Sequence, residues 1–509
     1  MPRSVALAFV CLCMVVYAWT ADGRLSFPDE EIMFQTTEAL AERGELSIRG
    51  IPKRAGELSW RPDGTFGWAP GLDGKRYGVF GHGTSIVALP AYGVGRWLAD
   101  IVPEAWRHAI RSDHHSLHVR SQQADWPRLV VGLINVPISA FVCWLVVQWV
   151  TALGFPWRTG MLTGLAYAFA TMAWPYSNTF LSEPLSAACL VGATLCIARF
   201  HGSHAHQRFL WLWGAGALAG ASVHVHVLNV VALPCLLGYA ILPLWRADNL
   251  RTNRKAWLGA VALAALGLVA LAIDHASRFG SPWETGRYDH YSWFVWPWQG
   301  LLAQLVSPGR SLLLYSPAVA LALLGWPRLF KRVPAAAWFA ASMLVIRYAF
   351  VSTRSDWWGG WSIGPRYLVP VVPFAVLPIA TLFEPSWMHA HRRRLRAIGI
   401  VLLLACVMEM HLASHSIFEW MSGLSRAGTI DGVRYLDRSH WWPSASPIVG
   451  FFALESDTLS CGAFRLAEHG HLGLAVCFVV LGMAGIVAGV WLHRVPRGAY
   501  RRLRVPDRR

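Results

Sequence analysis

Long runs of apolar residues, separated by short polar stretches, repeat along most of the chain. A helix needs roughly 20 apolar residues to cross the hydrocarbon core of a membrane. The pattern therefore predicts an all-α polytopic membrane protein with about 12 transmembrane helices. The predicted spans are 4–20, 127–150, 158–176, 184–200, 209–225, 227–245, 256–274, 310–326, 335–352, 365–383, 396–413 and 471–492.

The distribution of charge predicts which side each loop faces. Short basic loops stay on the cytoplasmic side of a membrane. The two long loops are acidic on balance, with 14 acidic against 12 basic residues in 21–126 and 6 against 4 in 414–470. These loops are therefore predicted to be exoplasmic, and both termini cytoplasmic. The basic clusters that support this lie at 246–255, 328–332, 392–396 and 494–509.

The requirement for an even number of spans decides two ambiguous regions. Residues 209–245 form one apolar run with basic residues at both ends, so they are predicted to be a hairpin bent near His224–Asn229. The first apolar run also matches a cleavable secretory signal, with Arg3 before it and Ala18 and Ala21 at its end. We favour an uncleaved helix, because cleavage would leave an odd number of spans.

Composition excludes several classes of protein. The chain is 55% hydrophobic, has 28 Trp and only 15% charged residues, which is typical of a polytopic membrane protein. The net charge of +16 arises mainly from basic residues in the predicted cytoplasmic loops, where it attracts anionic membrane lipid. No nucleic-acid partner is therefore expected. Only Cys461 of nine cysteines falls in a predicted exoplasmic loop, and no Cys-x-x-Cys exists, so neither a disulfide framework nor a zinc finger is indicated.

Acidic residues are concentrated in the first long loop, which holds 14 of the 29 Asp and Glu. Residues 29–43 are predicted to form a short amphipathic helix at the membrane interface. The apolar but Gly- and Pro-broken stretch 83–99 is predicted to be a second interfacial or re-entrant helix. Just after the first span, Phe27-Pro28-Asp29-Glu30-Glu31 places three carboxylates in a row. Carboxylates beside a membrane can accept a proton or hold a cation, so this motif is a candidate reaction centre.

The domain organisation is predicted to be simple, because the chain shows no internal repeat and no low-complexity linker. Residues 1–493 are predicted to form one integral-membrane domain, followed by a basic tail at 494–509. Loop 21–126 carries the candidate catalytic motif. Loop 414–470 is too short for an independent catalytic domain, so we interpret it as a lid or a cover that faces the acceptor.

Two further motifs point to a family. Phe279-Gly280-Ser281-Pro282 precedes Thr285-Gly286, and residues 358–367 read Trp-Gly-Gly-Trp-Ser-Ile-Gly-Pro-Arg-Tyr at the start of a predicted helix. With the acidic motif after the first span and eleven further predicted spans, the chain resembles the GT-C fold of integral-membrane glycosyltransferases. It resembles in particular the protein O-mannosyltransferase, aminoarabinose transferase and rhizobial lipopolysaccharide sugar-transferase groups.

The resemblance implies a hexosyl- or pentosyltransferase that takes a sugar from a polyprenyl-phosphate carrier. The acceptor would be an envelope glycan, a lipid or a protein on the periplasmic face of a bacterial inner membrane. In that family an Asp of the first exoplasmic loop activates the acceptor, and Asp29 matches its place with Glu30 beside it. The chain lacks an Asp-x-Asp pair and the Trp-Trp-Asp-Tyr-Gly signature of oligosaccharyltransferase catalytic subunits. No cofactor is therefore predicted, and an obligate divalent metal and N-glycosylation are both disfavoured.

Displacement of a lipid phosphate needs a base for the acceptor hydroxyl and positive charge for the leaving group. Asp29 suits the first role, although a carboxylate after Pro28 also suits a helix N-terminus. Arg366 is predicted to hold the phosphate, because its planar donor fork can grip two oxygens. The alternative is an interfacial anchor whose charge snorkels to water. Weaker candidates of the same type are Arg310, Arg347 and Arg354.

Several other residues are predicted to contact substrate, and each has a structural alternative. These residues are Glu183, His82, Lys75, Arg76, Trp358, Trp361 and Tyr367. As alternatives, Glu183 also suits a helix start before a proline, and His82 also suits an interface position. The two basic residues also suit a turn, and the three aromatic residues also suit an aromatic belt at the membrane interface.

Two alternatives stay open. The protein could be a membrane transporter or lipid-carrier translocase, although such proteins carry ionisable groups near the bilayer midplane and often a half-chain repeat. A metal could bind the histidines at His108, His114, His115 and His118, which we interpret instead as a solvated connection, or the pair His224 and His226, whose spacing is weak evidence.

Overall fold

A computed structural model describes residues 2–21, 23–50, 67–102, 126–202, 208–245, 254–286, 293–430 and 432–453. Within these ranges six helices are long and apolar enough to cross a membrane, namely Arg3–Thr20, Trp126–Ala152, Glu183–Gly202, Lys255–Phe279, Pro334–Ser352 and Arg392–Ala413. Three shorter apolar helices are Phe209–Val225, Val227–Ile241 and Arg366–Leu382. Each of these nine overlaps a span predicted from the hydrophobic pattern, which confirms a predominantly helical membrane protein.

Several predicted spans are not continuous α-helices, and two of them differ most from the prediction. Residues 158–176 divide into the helices Trp157–Phe169 and Ala173–Ser177. The prediction of one helix over 310–326 is wrong, because the helix there begins only at Pro317. Proline has no N–H to donate within a helix and suits its first turn, so it starts this helix rather than continuing one. The span 471–492 lies outside the described residues, so the count of about 12 spans and the cytoplasmic termini stay predictions.

The predicted hairpin at 209–245 has a break at the expected place. Helix Arg208–Val225 ends, His226 is extended, and a 3-10 turn at Val227–Ala232 leads into helix Leu233–Trp245. The Nδ1 atom of His226 accepts a hydrogen bond from the Leu228 N–H at 3.1 Å, which fixes the start of the turn.

The long helix Trp126–Ala152 is interrupted between its two parts, Trp126–Gly132 and Asn135–Ala152.

Most of the remaining described elements are short. The other helices and 3-10 turns are Trp298–Val306, Pro317–Ala322, Leu323–Gly325, Trp326–Arg332, Arg366–Val371, Val372–Val376, Leu377–Leu382, Pro385–Ala390, Ile417–Ala427, Tyr435–Trp441, Pro443–Ala445, Pro447–Gly450 and Phe451–Ala453; the long helix before the first of them is Arg254–Phe279.

The all-α prediction needs a small correction, because the two long loops predicted to be exoplasmic contain two antiparallel hairpins. Trp68–Pro70 pairs with Arg76–Gly78, and Thr429–Ile430 pairs with Val433–Arg434. The first hairpin turns at Gly74, whose φ of 74° lies in the left-handed region that glycine tolerates. The predicted turn at residues 73–77 is therefore part of a hairpin.

Small residues let two apolar helices approach closely. A Cβ atom on Gly216 would lie 2.2 Å from the Ala260 carbonyl oxygen, and one on Gly220 would lie 2.7 Å from that of Leu263. Helices Arg208–Val225 and Arg254–Phe279 can therefore pack with their backbones in contact, as small residues four apart allow in membranes.

The first loop is built from helices Pro28–Arg43, Gly83–Val87 and Leu89–Ile101. Pro28–Arg43, here called the acidic helix, confirms the helix predicted at 29–43. Its residues from Asp29 to Thr37 are all buried, however, so its first half is enclosed by protein rather than lying on a membrane surface. The stretch predicted at 83–99 is the helix pair on either side of Ala88.

An ion pair between the buried Glu31 and the partly buried Arg128 joins the acidic helix to the second long apolar helix. The guanidinium of Arg128 donates to both carboxylate oxygens of Glu31, from Nε at 3.0 Å and from Nη2 at 2.8 Å. The same guanidinium lies 4.4 Å from the centre of the Phe34 ring. This two-pronged pairing holds the acidic helix against the membrane-spanning part of the protein.

We expect Glu31→Gln to destabilise the protein by about 3–5 kcal/mol, because it removes the buried carboxylate charge that the Arg128 guanidinium binds with two nitrogens. The double variant Glu31→Gln/Arg128→Met should recover part of this loss, since it removes both charges. Thermal unfolding of purified protein in detergent measures the difference. Equal unfolding midpoints for Glu31→Gln and wild type would contradict a stabilising pair.

Candidate functional site

The first turn of the acidic helix presents Asp29 and Glu30 in different environments. Pro28 occupies the first helical position, where its missing N–H costs nothing. Glu30 accepts hydrogen bonds from the Phe27 N–H at 2.9 Å and from the Phe180 N–H at 2.7 Å, so both of its oxygens are held by backbone. Glu30 therefore fixes the helix start against the turn before Glu183. Asp29 makes a side-chain contact instead.

One guanidinium joins Asp29 to a second acid from a distant part of the chain. Arg366 donates from Nη1 to Asp29 Oδ2 at 2.8 Å and from Nε to Glu183 Oε1 at 2.6 Å. The exposed fraction is 7% for Asp29, 1% for Glu183 and 7% for Arg366. We call these three residues the guanidinium bridge. It unites chain positions that are more than 150 residues apart in sequence, and it places two of the predicted substrate-binding residues beside the predicted base.

Some polar atoms of the three side chains in the guanidinium bridge make no hydrogen bond to the described residues. Among the described residues, Glu183 Oε2 is buried and has no hydrogen-bond partner. Asp29 Oδ1 and Arg366 Nη2 make no hydrogen bond within the same part of the chain, since the bonds of these side chains are the two of the bridge. An acceptor oxygen, a donor nitrogen and a second acceptor oxygen thus lie at one site.

Arg366 lies at the end of a glycine-rich segment, residues 356–366, which we call the Gly-rich loop. Gly359, Gly360 and Gly364 have φ values of 75°, 75° and 61°, which other residues rarely adopt. A Cβ on Gly359 would lie 2.9 Å from Arg366 Cβ, so the loop folds directly onto the arginine it carries. The resulting backbone conformation points several carbonyl oxygens inward.

Two other buried arginines hold those carbonyls. Arg310 donates from Nη1 to the Ser362 oxygens and to Gly364 O at 3.2 Å, and from Nη2 to Gly360 O at 3.0 Å. Arg347 donates from Nε to Tyr367 O at 2.6 Å. These predicted phosphate candidates therefore support the backbone on either side of Arg366.

Arg354 and Tyr367 share a partner at the other end of the loop. Arg354 forms a two-pronged ion pair with Asp356, from Nε at 2.8 Å and from Nη2 at 3.0 Å. The Tyr367 hydroxyl donates to the same carboxylate at 3.1 Å. The predicted role of Tyr367 in substrate binding stays a prediction.

The last predicted exoplasmic loop covers the tryptophans of the Gly-rich loop. The His440 ring lies 5.2 Å from the Trp357 ring and 5.9 Å from the Trp358 ring, centre to centre. Trp361 lies 5.1 Å from Phe418. Trp358 and Trp361 therefore pack against helices of residues 417–441 in the described part of the chain, while the role of loop 414–470 as a lid or an acceptor-facing cover stays a prediction.

The predicted residues of the first hairpin contact other parts of the first loop. Lys75 pairs with Glu45 at 3.0 Å, and Arg76 donates to the Arg49 carbonyl at 2.7 Å, both at an exposed position. His82 lies against the helix Arg254–Phe279, with Nε2 at 3.4 Å from Asp274 Oδ2. Within the described residues none of the three touches the guanidinium bridge.

A small cavity of about 50 Å³ opens beside Glu30. This is room for one or two water-sized groups. Its polar lining includes Thr20, Arg24, Asn178 and His415, which the sequence did not single out. No motif marks these residues, because they come from three separate segments.

In the described ranges no group of three or more His, Cys, Asp or Glu side chains is arranged to hold a metal ion. The Nε2 atom of His224 lies 2.8 Å from the Gly267 carbonyl oxygen, and His226 caps the turn described above. The histidines at 108–118 lie outside the described residues.

Comparison with solved structures gives the fold. The oligosaccharyltransferase of Archaeoglobus fulgidus, solved with a tethered acceptor peptide, superposes with a TM-score of 0.51 at 12% identity, over 85% of this chain and 58% of that one. The chain has the GT-C fold. ArnT from Cupriavidus metallidurans, solved bound to undecaprenyl phosphate, matches over 96% of this chain and 76% of that chain, with a TM-score of 0.45 and 15% identity.

No family model and no curated protein matches the sequence. The chain spans less than two thirds of the length of the archaeal oligosaccharyltransferase. At such low sequence identity the likeness shows a shared GT-C fold and does not identify the reaction.

His440 was missed by sequence reasoning, since only the neighbouring Trp441-Trp442-Pro443 marks its segment. Its exposed fraction is 2%, and neither ring nitrogen has a partner among the described residues. Burial, helped by the charge of Arg310, lowers the pKa of His440 to about 2. The His440 ring is therefore neutral where it packs against Trp357 and Trp358.

This burial predicts a loss of stability in acid. The folded-state pKa of His440 lies far below the value of about 6.5 for an exposed histidine, so below pH 6.5 the unfolded chain binds a proton that the folded chain does not. We expect His440→Phe to keep the ring packing and to lose less stability than wild type between about pH 6.5 and 4.5. Unfolding midpoints across this range test it, and parallel curves for the two proteins would contradict it.

Proposed function

We propose that this protein is an integral-membrane glycosyltransferase that moves a sugar from a polyprenyl-phosphate carrier to an envelope glycan, lipid or protein. The observation that carries the proposal is the guanidinium bridge, which places the Asp29 carboxylate of the first loop beside the cation Arg366 and a second acid, Glu183, within a GT-C fold. The solved proteins with undecaprenyl phosphate or an acceptor peptide support this class of substrates for a fold of this kind.

The transfer step follows from the atoms that the bridge leaves open. Asp29 Oδ2 is held by Arg366, so Oδ1 is placed to take the proton of the acceptor hydroxyl. The acceptor oxygen then forms a bond to the anomeric carbon, and the bond from that carbon to the phosphate oxygen breaks. The electron pair leaves with the carrier phosphate, and Arg366 Nη2, the nitrogen that the bridge does not use, is the donor proposed for that charge.

Glu183 and Glu30 take supporting roles in this proposal. Glu183 holds the second side of the Arg366 fork at 2.6 Å. Glu30, predicted to be catalytic, is engaged by two backbone N–H groups, so we assign it the orientation of the acidic helix. The ring surfaces of Trp358 and Trp361 remain proposed contacts for the sugar or the polyprenyl chain.

A membrane transporter or lipid-carrier translocase is the second candidate function. Glu409 favours it, because this acid is fully buried in the apolar helix Arg392–Ala413 and neither of its oxygens has a partner among the described residues. Ionisable groups inside membrane helices often mark a transport path. Purified protein in liposomes separates the two, since a transferase consumes the lipid-linked sugar and a translocase only moves it between leaflets.

We expect Asp29→Asn to lower sugar transfer by about 100-fold or more, because the amide keeps the size and removes the base. The matched control is Asp73→Asn, which changes an exposed acid of the same loop. Transfer from a polyprenyl-phosphate sugar, measured on purified protein, gives the rates. A rate for Asp29→Asn near that of wild type would remove the base role and leave a helix-start acid.

The proposed location is a bacterial inner membrane with the site on the periplasmic face. Lys75→Cys in the first hairpin should then react with an impermeant thiol reagent added to intact cells. Arg332→Cys, at an exposed helix end in a basic cluster, should react only after the membrane is permeabilised. Wild type reports the background of native cysteines, and labelling of Arg332→Cys in intact cells would reverse the orientation.

A further inference from the structure

Two acids begin two different helices, and both side chains are directed at one point inside the protein. Asp29 lies in the first turn of the acidic helix, and Glu183 begins Glu183–Gly202. Both are at least nine-tenths buried. Two carboxylates brought together away from water repel each other, and each favours a charged partner. A cation between the two carboxylates therefore stabilises the site.

Arg366 supplies that cation with two different nitrogens of one rigid fork. Nη1 reaches Asp29 at 2.8 Å and Nε reaches Glu183 at 2.6 Å, so a single group sets the spacing of both acids. A guanidinium stays charged at any physiological pH. The other buried arginine beside this site, Arg347, gives its donors to Tyr367 O and to Asn229 Oδ1 instead.

The surrounding loop is built around this placement. Gly359 can carry no side chain without meeting Arg366 Cβ at 2.9 Å, and a Cβ on Gly364 would meet the Tyr315 side chain at 2.8 Å. Arg310 then holds the carbonyls of the same loop. The position of the guanidinium between the acids is thus fixed from several sides.

We propose that Arg366, besides offering Nη2 to the leaving phosphate, has a positioning role: its Nε and Nη1 take the place of a bridging divalent cation between the Asp29 and Glu183 carboxylates. Carboxylate oxygens are the ligands that hard divalent cations prefer, and the guanidinium occupies one oxygen of each of these two carboxylates. The protein then carries its own permanent cation, and the transfer step needs no added metal. This inference deepens the proposed function and rests on it for the transfer step alone.

Chemical rescue tests the inference on the full-length protein. Arg366→Ala removes the cation and leaves space for methylguanidinium, which restores the planar fork. We expect the variant to lose about 100-fold or more in transfer rate and to regain at least about tenfold when methylguanidinium is added. Methylammonium is the matched control, because it carries the same charge without the fork. Wild type should keep its rate in the presence of a chelator.

A second measurement does not depend on activity. Methylguanidinium should raise the unfolding midpoint of Arg366→Ala and leave that of wild type unchanged. If Arg366→Ala is too unstable to purify, Arg366→Ala/Glu183→Gln removes one of the two unpaired acids and should be more stable than the single variant. A double variant no more stable than Arg366→Ala would overturn the inference.

The other outcomes are equally decisive. A folded Arg366→Ala protein whose midpoint and rate ignore methylguanidinium overturns the positioning role. A wild type that a chelator inactivates and a divalent cation restores overturns the independence from metal. If wild type transfers no sugar from any polyprenyl-phosphate donor, the proposed function fails, while the midpoints still decide whether Arg366 pairs the two acids.

Discussion

The guanidinium bridge is the constraint on which the arrangement of the site depends. Asp29, Glu183 and Arg366 belong to the first loop, to the start of a long apolar helix and to the end of the Gly-rich loop. Buried carboxylates without a partner are costly, and a guanidinium without one is equally so. The three segments must therefore come together as a unit, and none can move away without exposing an unpaired charge to an apolar environment.

The other charged contacts around the bridge act on backbone position. Arg310 binds carbonyls of the Gly-rich loop, and Arg347 binds the carbonyl of Tyr367, just after it. Glu30 binds the N–H of Phe27, at the start of the acidic helix, and the N–H of Phe180. The Arg128–Glu31 pair fixes the same helix from its far side. Long charged side chains thus form the hydrogen bonds of backbone N–H and C=O groups in irregular segments of the low-dielectric interior. In helices and sheets, the backbone forms these hydrogen bonds itself.

Much of the fold could be predicted from the sequence because hydrophobic length is a local property. Runs such as 127–150 and 335–352 are long enough to span a membrane wherever they lie, and the described structure contains both helices. The break near His226 followed from charge at the two ends of one run. The helix over 310–326 was predicted wrongly, since apolar composition there outweighed the signal of Pro317, which starts a helix.

The sequence by itself determined the class of protein, most of its membrane helices and the position of Asp29 at a helix start, because each depends on residues near one another in the chain. The tertiary structure alone decided what Arg366 contacts. An arginine after Gly-Pro can hold a phosphate, an interface or a carboxylate, and nothing near it in the chain distinguishes these partners. Asp29 lies 337 positions away and Glu183 lies 183 away, so only the folded chain brings their charges within hydrogen-bonding distance.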